Sequence, residues 1–418
     1  MEYPKFTKAM KETHTILLPD MLPIHFRLIS FILEDAGYHV ECLHNASRSV
    51  VDEGLKNVHN DTCYPALLVI GQFLDALNSG KYDVNHVALL ITQTGGGCRA
   101  SNYIHLLRKA MAVHYPQVPV ISFNFSGLEK DKESGFHLSL SDLLHVLYAV
   151  YYGDLLMSLY NQVLPYEVCE GEAKETLERW ENKLKKILVS SRCFRLKKYA
   201  GKMIDDFNRI PLRAEKKIKV GIVGEIYVKY SPLANNHLED FLRSEGCEAI
   251  VPALMDFVLY SVDATLYNHK TYRTKNKFAF LFRIAYRYMY GMEKKLNRLI
   301  EKRSKFEIFH DFEKLKQAAN RYISEGVVMG EGWLIPAEMA LLVESGCENI
   351  VACQPFGCLP NHIVSKGMQR VIKKAYPEAN IVAIDYDPGA TQVNQENRIK
   401  LMLSQAKEKQ KEGKRKSD

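Results

Sequence analysis

The stretch that decides the fold of this protein runs from residue 353 to residue 362 and reads CQPFGCLPNH. An apolar run, Ile350-Val351-Ala352, precedes it, and a helical pattern follows it from Ile363. A strand that turns directly into a helix places the thiol of Cys358 at the helix N-terminus. There the helix dipole and the free backbone N–H groups favour a thiolate.

Two further cysteines occupy the same kind of position. Cys63 lies in NDTCYP, residues 60–65, where capping oxygens come just before a helical pattern. Cys98 lies in GGGCRASN, residues 95–102, between an apolar strand pattern and the next helix. Three cysteines that each follow a strand or loop and directly precede a helix indicate that their thiols belong to one functional site.

Glycines accompany two of these cysteines. Gly96 and Gly97 come directly before Cys98, and Gly357 comes directly before Cys358. Because glycine has no Cβ, its backbone can come close to a bulky inorganic or phosphate group. We therefore expect Gly96, Gly97 and Gly357 to line a cofactor site.

Strand patterns and helical patterns alternate in both halves of the chain. The continuous apolar run at residues 87–92 is typical of a strand buried in a parallel sheet. This alternation predicts an α/β fold with helices on both faces of each parallel sheet. The expected organisation is an N-terminal α/β domain, a helical connector, a C-terminal α/β domain and a basic tail, at residues 1–139, 140–212, 213–404 and 405–418.

Length and composition narrow the class of protein. A chain of 418 residues exceeds one ordinary core, so two or three domains are expected. The N-terminus lacks the layout of a signal peptide, and no uninterrupted apolar run is long enough for a membrane span. We expect a cytoplasmic protein without a membrane partner, in which the nine scattered cysteines are core residues, metal ligands or catalytic thiols.

A basic-aromatic insert, residues 267–325, interrupts the C-terminal half. It accounts for part of the formal net charge of +7. One interpretation is an amphipathic helical insert whose aromatic side chains pack on the domain. The other is a lid or docking surface for a nucleotide-bearing substrate or an acidic partner. No recognisable RNA-binding motif accompanies it, so no nucleic-acid partner is expected.

The three thiols are far apart in sequence and can meet only where two domains close on a shared cleft, at the carboxyl ends of their strands. The chain has no Cys-x-x-Cys pair, the main signal of zinc ribbons and thioredoxins. Three thiolates suit a [4Fe–4S] cluster with one iron left without a protein thiolate. Cys353 is either a fourth ligand or, because it lies in an apolar strand, a core residue.

Several motifs together resemble the 2-hydroxyacyl-CoA dehydratase superfamily, most closely its activase-related branch, over roughly residues 12–404. The motifs are NDTCYP (60–65), TGGGCRASNY (94–103), GIVGEI (221–226), EGW (331–333), QPFGCLPNH (354–362) and DYDPGA (385–390).

The resemblance implies two Rossmann-like domains with a [4Fe–4S] cluster in the cleft between them, held by Cys63, Cys98 and Cys358. It also implies anaerobic metabolism, in which an ATP-dependent activator injects one electron. A ketyl radical of the acyl-CoA thioester then expels the hydroxyl group. No phosphate-binding loop of the activator type occurs here, so the activator would be a separate chain. The family's two-subunit enzymes leave a homodimer and a heterodimer both open.

Three functions remain as alternatives. The first is a lyase or low-potential reductase, in which Glu225, Glu331 and His362 are candidate proton-handling residues because they lie near motif loops. The second is a non-catalytic electron-transfer partner that carries the cluster. The third is a structural zinc or thiol protein.

Overall fold

The computed structural model describes residues 3–59, 61–93, 97–124, 135–274 and 278–417. It is an α/β protein with two four-stranded sheets, in which every strand pair is parallel. The expected fold class is therefore confirmed at this level.

The strands are β1 Thr15–Pro19, β2 His39–Leu43, β3 Val87–Gln93, β4 Val120–Asn124, β5 Ile218–Gly224, β6 Cys247–Ile250, β7 Asn349–Pro355 and β8 Asn380–Tyr386. The helices are α1 Met10–Thr13, α2 Pro23–Asp35, α3 Arg48–Asn57, α4 Tyr64–Asn78, α5 Tyr103–His114, α6 Leu140–Val163, α7 Glu172–Leu188, α8 Leu196–Asn208, α9 Ile226–Tyr230, α10 Pro232–Asn235, α11 Leu238–Ser244, α12 Leu254–Tyr272, α13 Ala279–Arg303, α14 Phe312–Asn320, α15 Leu334–Glu344, α16 Leu359–Asn361, α17 Gln369–Ala375 and α18 Gln392–Ser417. Short 3-10 turns occupy Arg99–Asn102 and Ser191–Phe194, and a π-helical turn occupies His362–Lys366.

Both sheets have the same topology. The first has the order β2-β1-β3-β4, and the second has the order β6-β5-β7-β8. The central strands are β1 and β3 in the first sheet and β5 and β7 in the second, and their apolar side chains are largely buried. Loops at the carboxyl ends of central strands carry Cys98 after β3, Glu225 after β5 and Cys358 after β7. This is the edge at which parallel α/β sheets bind their ligands.

The two sheets share part of their core. One cluster of buried side chains joins residues of α4 and β3 to residues of β5, β7 and α18. Polar contacts cross the same boundary: Arg48 Nη1 donates to the Pro388 carbonyl at 3.0 Å, and Ser231 Oγ donates to the Asp20 carbonyl at 3.4 Å. The two halves of the chain therefore bury apolar surface against each other.

Helices from the region 140–208 and from the basic-aromatic insert form a common layer. Buried residues of α6, α7, α8, α12, α13 and α14 belong to one apolar core. Among the described residues, α6 alone is long and apolar enough to cross a membrane, but 67% of its apolar window is buried inside the protein. The core residues of this helix include Tyr151, Tyr152, Leu155 and Leu156.

Two helical patterns differ from expectation. The basic tail, residues 405–418, was expected as a unit of its own, but α18 continues through it to Ser417, and its residues Lys407 and Lys409 pair with Glu245 and Glu348. The helical pattern that begins at Ile363 predicts one continuous helix after Cys358. It is divided instead by the π-helical turn, in which the Gly367 amide donates to the His362 carbonyl at 3.0 Å.

The loop that carries Cys63 is fixed by the crossing of α3 and α4. A Cβ atom added at Gly71 would lie 2.0 Å from the Val50 carbonyl oxygen, and one added at Gly54 would lie 2.4 Å from the Leu67 carbonyl oxygen. Each glycine therefore allows the other helix to approach within backbone contact.

We predict that Gly71→Ala lowers the free energy of unfolding by about 3 kcal/mol, because the added methyl group forces the two helices apart. Gly291→Ala is the matched control, since its added Cβ meets no atom within 4 Å in the middle of α13. That variant should gain about 0.5–1 kcal/mol through helix propensity. Urea unfolding measures both, and equal effects of the two substitutions would contradict the close crossing.

Candidate functional site

The three predicted thiols lie at the starts of three helical segments. Cys63 is the residue before α4, Cys98 precedes the 3-10 turn that leads into α5, and Cys358 precedes α16. None of the three side chains caps its helix through a hydrogen bond. The thiols are therefore not engaged in closing the helix ends.

The Cys63 and Cys358 loops are in direct backbone contact. The Tyr64 amide donates to the Phe356 carbonyl at 3.0 Å. Gly357 has a φ of +73°, and a Cβ atom there would lie 3.2 Å from the Cys63 Cα. Glycine is thus required at this position both by its backbone conformation and by the neighbouring chain. This contact joins a loop of the first half of the chain to one of the second.

Cys98 belongs to the same group of side chains. The Tyr103 hydroxyl, at the start of α5, lies 2.9 Å from the Cys63 Sγ. Burial raises the pKa of Tyr103 well above its usual value, and the proximity of Cys63, Glu225 and Cys98 raises it further. Gly97 approaches a third segment, because a Cβ there would lie 3.0 Å from the Met329 Cε. Gly96 lies outside the described residues.

Burial has a larger effect on the pKa values of the three thiols than the helix N-termini have. It raises the pKa of Cys63 to about 11, and it raises the pKa values of Cys98 and Cys358 as well. Backbone N–H groups at each helix start act in the opposite direction, as the sequence led us to expect, but their effect is smaller. Without a nearby cation the three groups are therefore thiols.

Two buried carboxyl groups face these thiols. Glu225 Oε2 accepts from the Val228 amide at 2.9 Å, and Glu331 Oε1 accepts from the Ile226 amide at 2.9 Å. Burial, followed by the charge of Glu331, raises the pKa of Glu225 to about 8, and burial raises the pKa of Glu331 too. Both carboxylates also raise the pKa of Cys358. Glu225 is consequently protonated at neutral pH.

A buried lysine adjoins the carboxyl pair. Lys229 Nζ lies 3.0 Å from Glu338 Oε1, and both side chains are almost fully buried. Its positive charge lowers the pKa values of Glu225 and Glu331, although burial has the larger effect on both. The site therefore contains two buried carboxyl groups, those of Glu225 and Glu331, with the buried ammonium group of Lys229 nearby.

The third predicted proton-handling residue, His362, has a different setting. Its Nδ1 lies 2.8 Å from the Cys358 carbonyl oxygen, and the side chain is exposed. Glu225 and Glu331 thus lie with the thiols, whereas His362 lies on the outer side of the turn that follows Cys358. Its role in proton transfer stays a prediction.

The remaining cysteines are placed apart from these three loops. Cys353 is fully buried in β7, packs in the core shared by the two sheets, and has a pKa raised to about 12 by burial. Cys193, Cys247 and Cys347 are buried, Cys42 is half-buried in β2, and Cys169 is exposed. For Cys353, core packing is the interpretation that its surroundings favour.

The arrangement of the three thiols determines which metal centre they could bind. Among the described residues, no group of three or more His, Cys, Asp or Glu side chains converges as a site for a single metal ion. An iron–sulfur cube presents a separate iron to each thiolate, so its ligands stand around a volume and do not meet at one point. Three loops bearing one thiol each, two of them in backbone contact, fit such a group.

The helix that leads into the basic-aromatic insert, α12, contacts the loop that carries Glu331. The Tyr260 hydroxyl in α12 donates to the Gly330 carbonyl at 3.0 Å, next to Glu331. At the start of α13, Phe280 and Leu281 are exposed beside the exposed Arg283. Within the described part of the insert, α13 and α14 are helical whereas residues 304–311 are not, and the exposed start of α13 is apolar and basic.

Tyr103 was not identified as a site residue from the sequence, although it lies within the TGGGCRASNY motif. The signal that could have found it is its spacing of five residues from Cys98. That spacing follows from a 3-10 turn that runs into α5.

We predict that Glu225→Gln makes the protein more stable at high pH. The folded-state pKa of about 8 exceeds the ordinary 4.5, so the native state binds this proton more tightly than the unfolded state. The resulting stability is complete below about pH 4.5 and is lost as pH rises to about 8. At pH 9 the variant should exceed wild type by on the order of 2–4 kcal/mol, and near pH 5 it should not.

Thermal unfolding between pH 5 and pH 9 measures this difference. Glu178→Gln, at an exposed position of α7, is the control. A pH-independent difference between Glu225→Gln and wild type would show that Glu225 is ionised in the folded protein.

Comparison of the chain with models of known protein families, with curated protein sequences and with solved structures gave no match. The resemblance to the 2-hydroxyacyl-CoA dehydratases therefore depends on the sequence motifs alone.

Proposed function

We propose that this protein holds a [4Fe–4S] cluster through Cys63, Cys98 and Cys358 and uses it in the one-electron dehydration or reduction of a CoA thioester. A separate ATP-dependent activator would supply the electron. The cluster would lie in a cleft between the two α/β halves, which the helices of residues 140–212 connect. The observation that carries the proposal is the meeting of cysteine loops from both halves beside a buried pair of carboxyl groups.

The cluster, when bound, supplies a low-potential electron at an iron that has no protein thiolate and is open to a substrate oxygen. Binding of the cluster, positioning and proton transfer depend on residues of the chain. The three cysteines bind as thiolates, so they release protons when the metal enters. Their raised pKa values mean that the affinity for iron falls as pH falls.

Tyr103 positions Cys63 and tunes its sulfur. Once Cys63 is a thiolate, the hydroxyl group at 2.9 Å is the only possible donor of this pair. Because burial keeps the pKa of Tyr103 well above its usual value, the hydroxyl retains its proton. A hydrogen bond to a ligating sulfur stabilises the more reduced state.

Glu225 and Glu331 are suited to hold and move one proton. Loss of a hydroxyl group requires a proton at the leaving oxygen, and Glu225 is protonated at neutral pH. Glu331 is close enough to affect the pKa of Glu225, so the pair can share a single proton in a site with little water. The amide hydrogen bonds from Ile226 and Val228 keep both carboxyl groups in place.

A second candidate function is electron transfer without catalysis. The exposed apolar and basic start of α13 favours it, since such a surface suits an acidic protein partner. A relay needs no proton-handling pair, however, and the buried Glu225 and Glu331 favour the enzyme. A structural zinc or thiol protein is distinguished from both by its metal content.

We predict that anaerobically purified protein contains about four iron and four sulfide per chain. Cys63→Ser, Cys98→Ser and Cys358→Ser should each lose most of the iron, because a serine hydroxyl is a poor ligand for the cluster. Cys169→Ser is the control, since this exposed cysteine lies outside the site. Iron-free wild-type protein, or equal iron in all four variants, would contradict the proposal, and bound zinc would support the structural alternative.

We further predict that Tyr103→Phe keeps its iron but has a more negative midpoint potential, because one hydrogen bond to the Cys63 sulfur is lost. A redox titration followed by EPR measures the shift. Tyr115→Phe is the control, as its hydroxyl donates to Asn78 at the far end of α5. Equal potentials in Tyr103→Phe and wild type would mean that the hydroxyl does not contact the ligating sulfur.

A further inference from the structure

The segment after Cys358 reverses the usual distribution of polar and apolar side chains. Leu359 and Ile363 are 65% and 55% exposed, whereas Asn361 and Ser365 are fully buried. Folding alone would favour the opposite arrangement, because it removes apolar surface from water and leaves amides and hydroxyls hydrated. The residue choice in this segment therefore reflects something other than stability.

The buried polar atoms of this segment have no protein partner within the described part of the chain. Both amide atoms of Asn361 and the hydroxyl of Ser365 make no hydrogen bond, and neither do the two amide atoms of Gln354 in β7. Native proteins pair nearly all such groups, so five orphan atoms in three neighbouring side chains are exceptional. Ordinary packing does not account for them.

The fold brings these three side chains to one place. Gln354 shares its face of β7 with Ile350 and Ala352, because side chains alternate along a strand. Those two residues pack in the same core as Val364 of the π-helical turn. Asn361 and Ser365 lie one turn apart, on the side of the segment that Val364 also occupies. β7 and the π-helical turn pack against each other, so the three polar side chains lie on buried faces of two neighbouring segments that flank Cys358 in the chain.

We propose that Gln354, Asn361 and Ser365 form a subsite for the neutral polar end of an acyl thioester, its carbonyl oxygen and the neighbouring hydroxyl group. Amides and hydroxyls both donate and accept hydrogen bonds, so the trio can pair with a carbonyl and a hydroxyl together. The trio carries no charge, and Glu225 and Glu331 near Cys358 disfavour an anion. The identity of this ligand rests on the proposed function.

Access requires residues 359–366 to move outward, since the trio is closed to solvent. The backbone provides places for this movement. The three-residue α16, the π-helical turn and the break before α17 interrupt regular hydrogen bonding within a short distance. Single π-helical turns are frequent at functional sites.

The test uses lactamide, a neutral molecule with adjacent carbonyl and hydroxyl groups, and lactate as its anionic counterpart. Binding to the full chain, with and without the cluster, is measured by calorimetric titration. We expect lactamide to bind at least about tenfold more tightly than lactate. Asn361→Leu and Gln354→Met should weaken lactamide binding by about tenfold or more. Their melting temperatures should equal or exceed that of wild type, because an unpaired buried polar group is removed.

Ser365→Ala tests the subsite even if the Asn361→Leu and Gln354→Met proteins do not fold. This substitution removes one hydroxyl group with little change in the shape of the side chain. It should lower the affinity for lactamide and leave the iron content unchanged. Ile363→Ser, on the exposed side of the same turn, is the control. Wild-type protein that does not bind lactamide, or Ser365→Ala protein that binds it as wild type does, would overturn the subsite. Iron content tests the proposed cluster and lactamide binding tests the subsite. The two proposals can therefore fail independently.

Discussion

The candidate site depends on one backbone contact, in which the loop before Cys358 lies against the loop that holds Cys63. A side chain at Gly357 would be strained, since its φ is +73° and the Cys63 Cα is 3.2 Å from where a Cβ would be. The Tyr64 amide completes the contact with the Phe356 carbonyl. This contact holds the helix start after Cys63, beside the first sheet, next to the helix start after Cys358, beside the second.

Charge within this site is determined by burial more than by pairing. Glu225 and Glu331 are nearly inaccessible to water, and the one buried lysine beside them is already engaged with Glu338. Desolvation therefore favours the neutral form of each thiol and carboxyl group. A positively charged metal centre would reverse this preference for the thiols. The same residues would then change protonation state on metal binding, without any rearrangement of the fold.

The sequence alone predicted those structural features that have a local cause. The apolar runs at residues 87–92 and 350–352 identify central strands because a parallel sheet is buried on both faces. The positions of Cys63, Cys98 and Cys358 before helical segments were likewise predictable, because helical patterns begin directly after them in the sequence. The pKa values of the thiols were not predictable, because burial arises from tertiary packing. The π-helical turn after Cys358 and the contact of Tyr103 with Cys63 also depend on packing between elements that are distant in the chain.

The apolar core shared by the two sheets has a consequence for how a ligand exchanges. Residues of α4 and β3 pack in the same cluster as residues of β5 and β7, so a hinge motion that separated the two halves would expose this surface to water. Such an opening is costly compared with the displacement of one short segment. If the protein acts as proposed, a ligand would therefore enter and leave by displacement of a short segment at the edge of the shared core. A cluster held by Cys63, Cys98 and Cys358 would then stay shielded from solvent while the ligand exchanges.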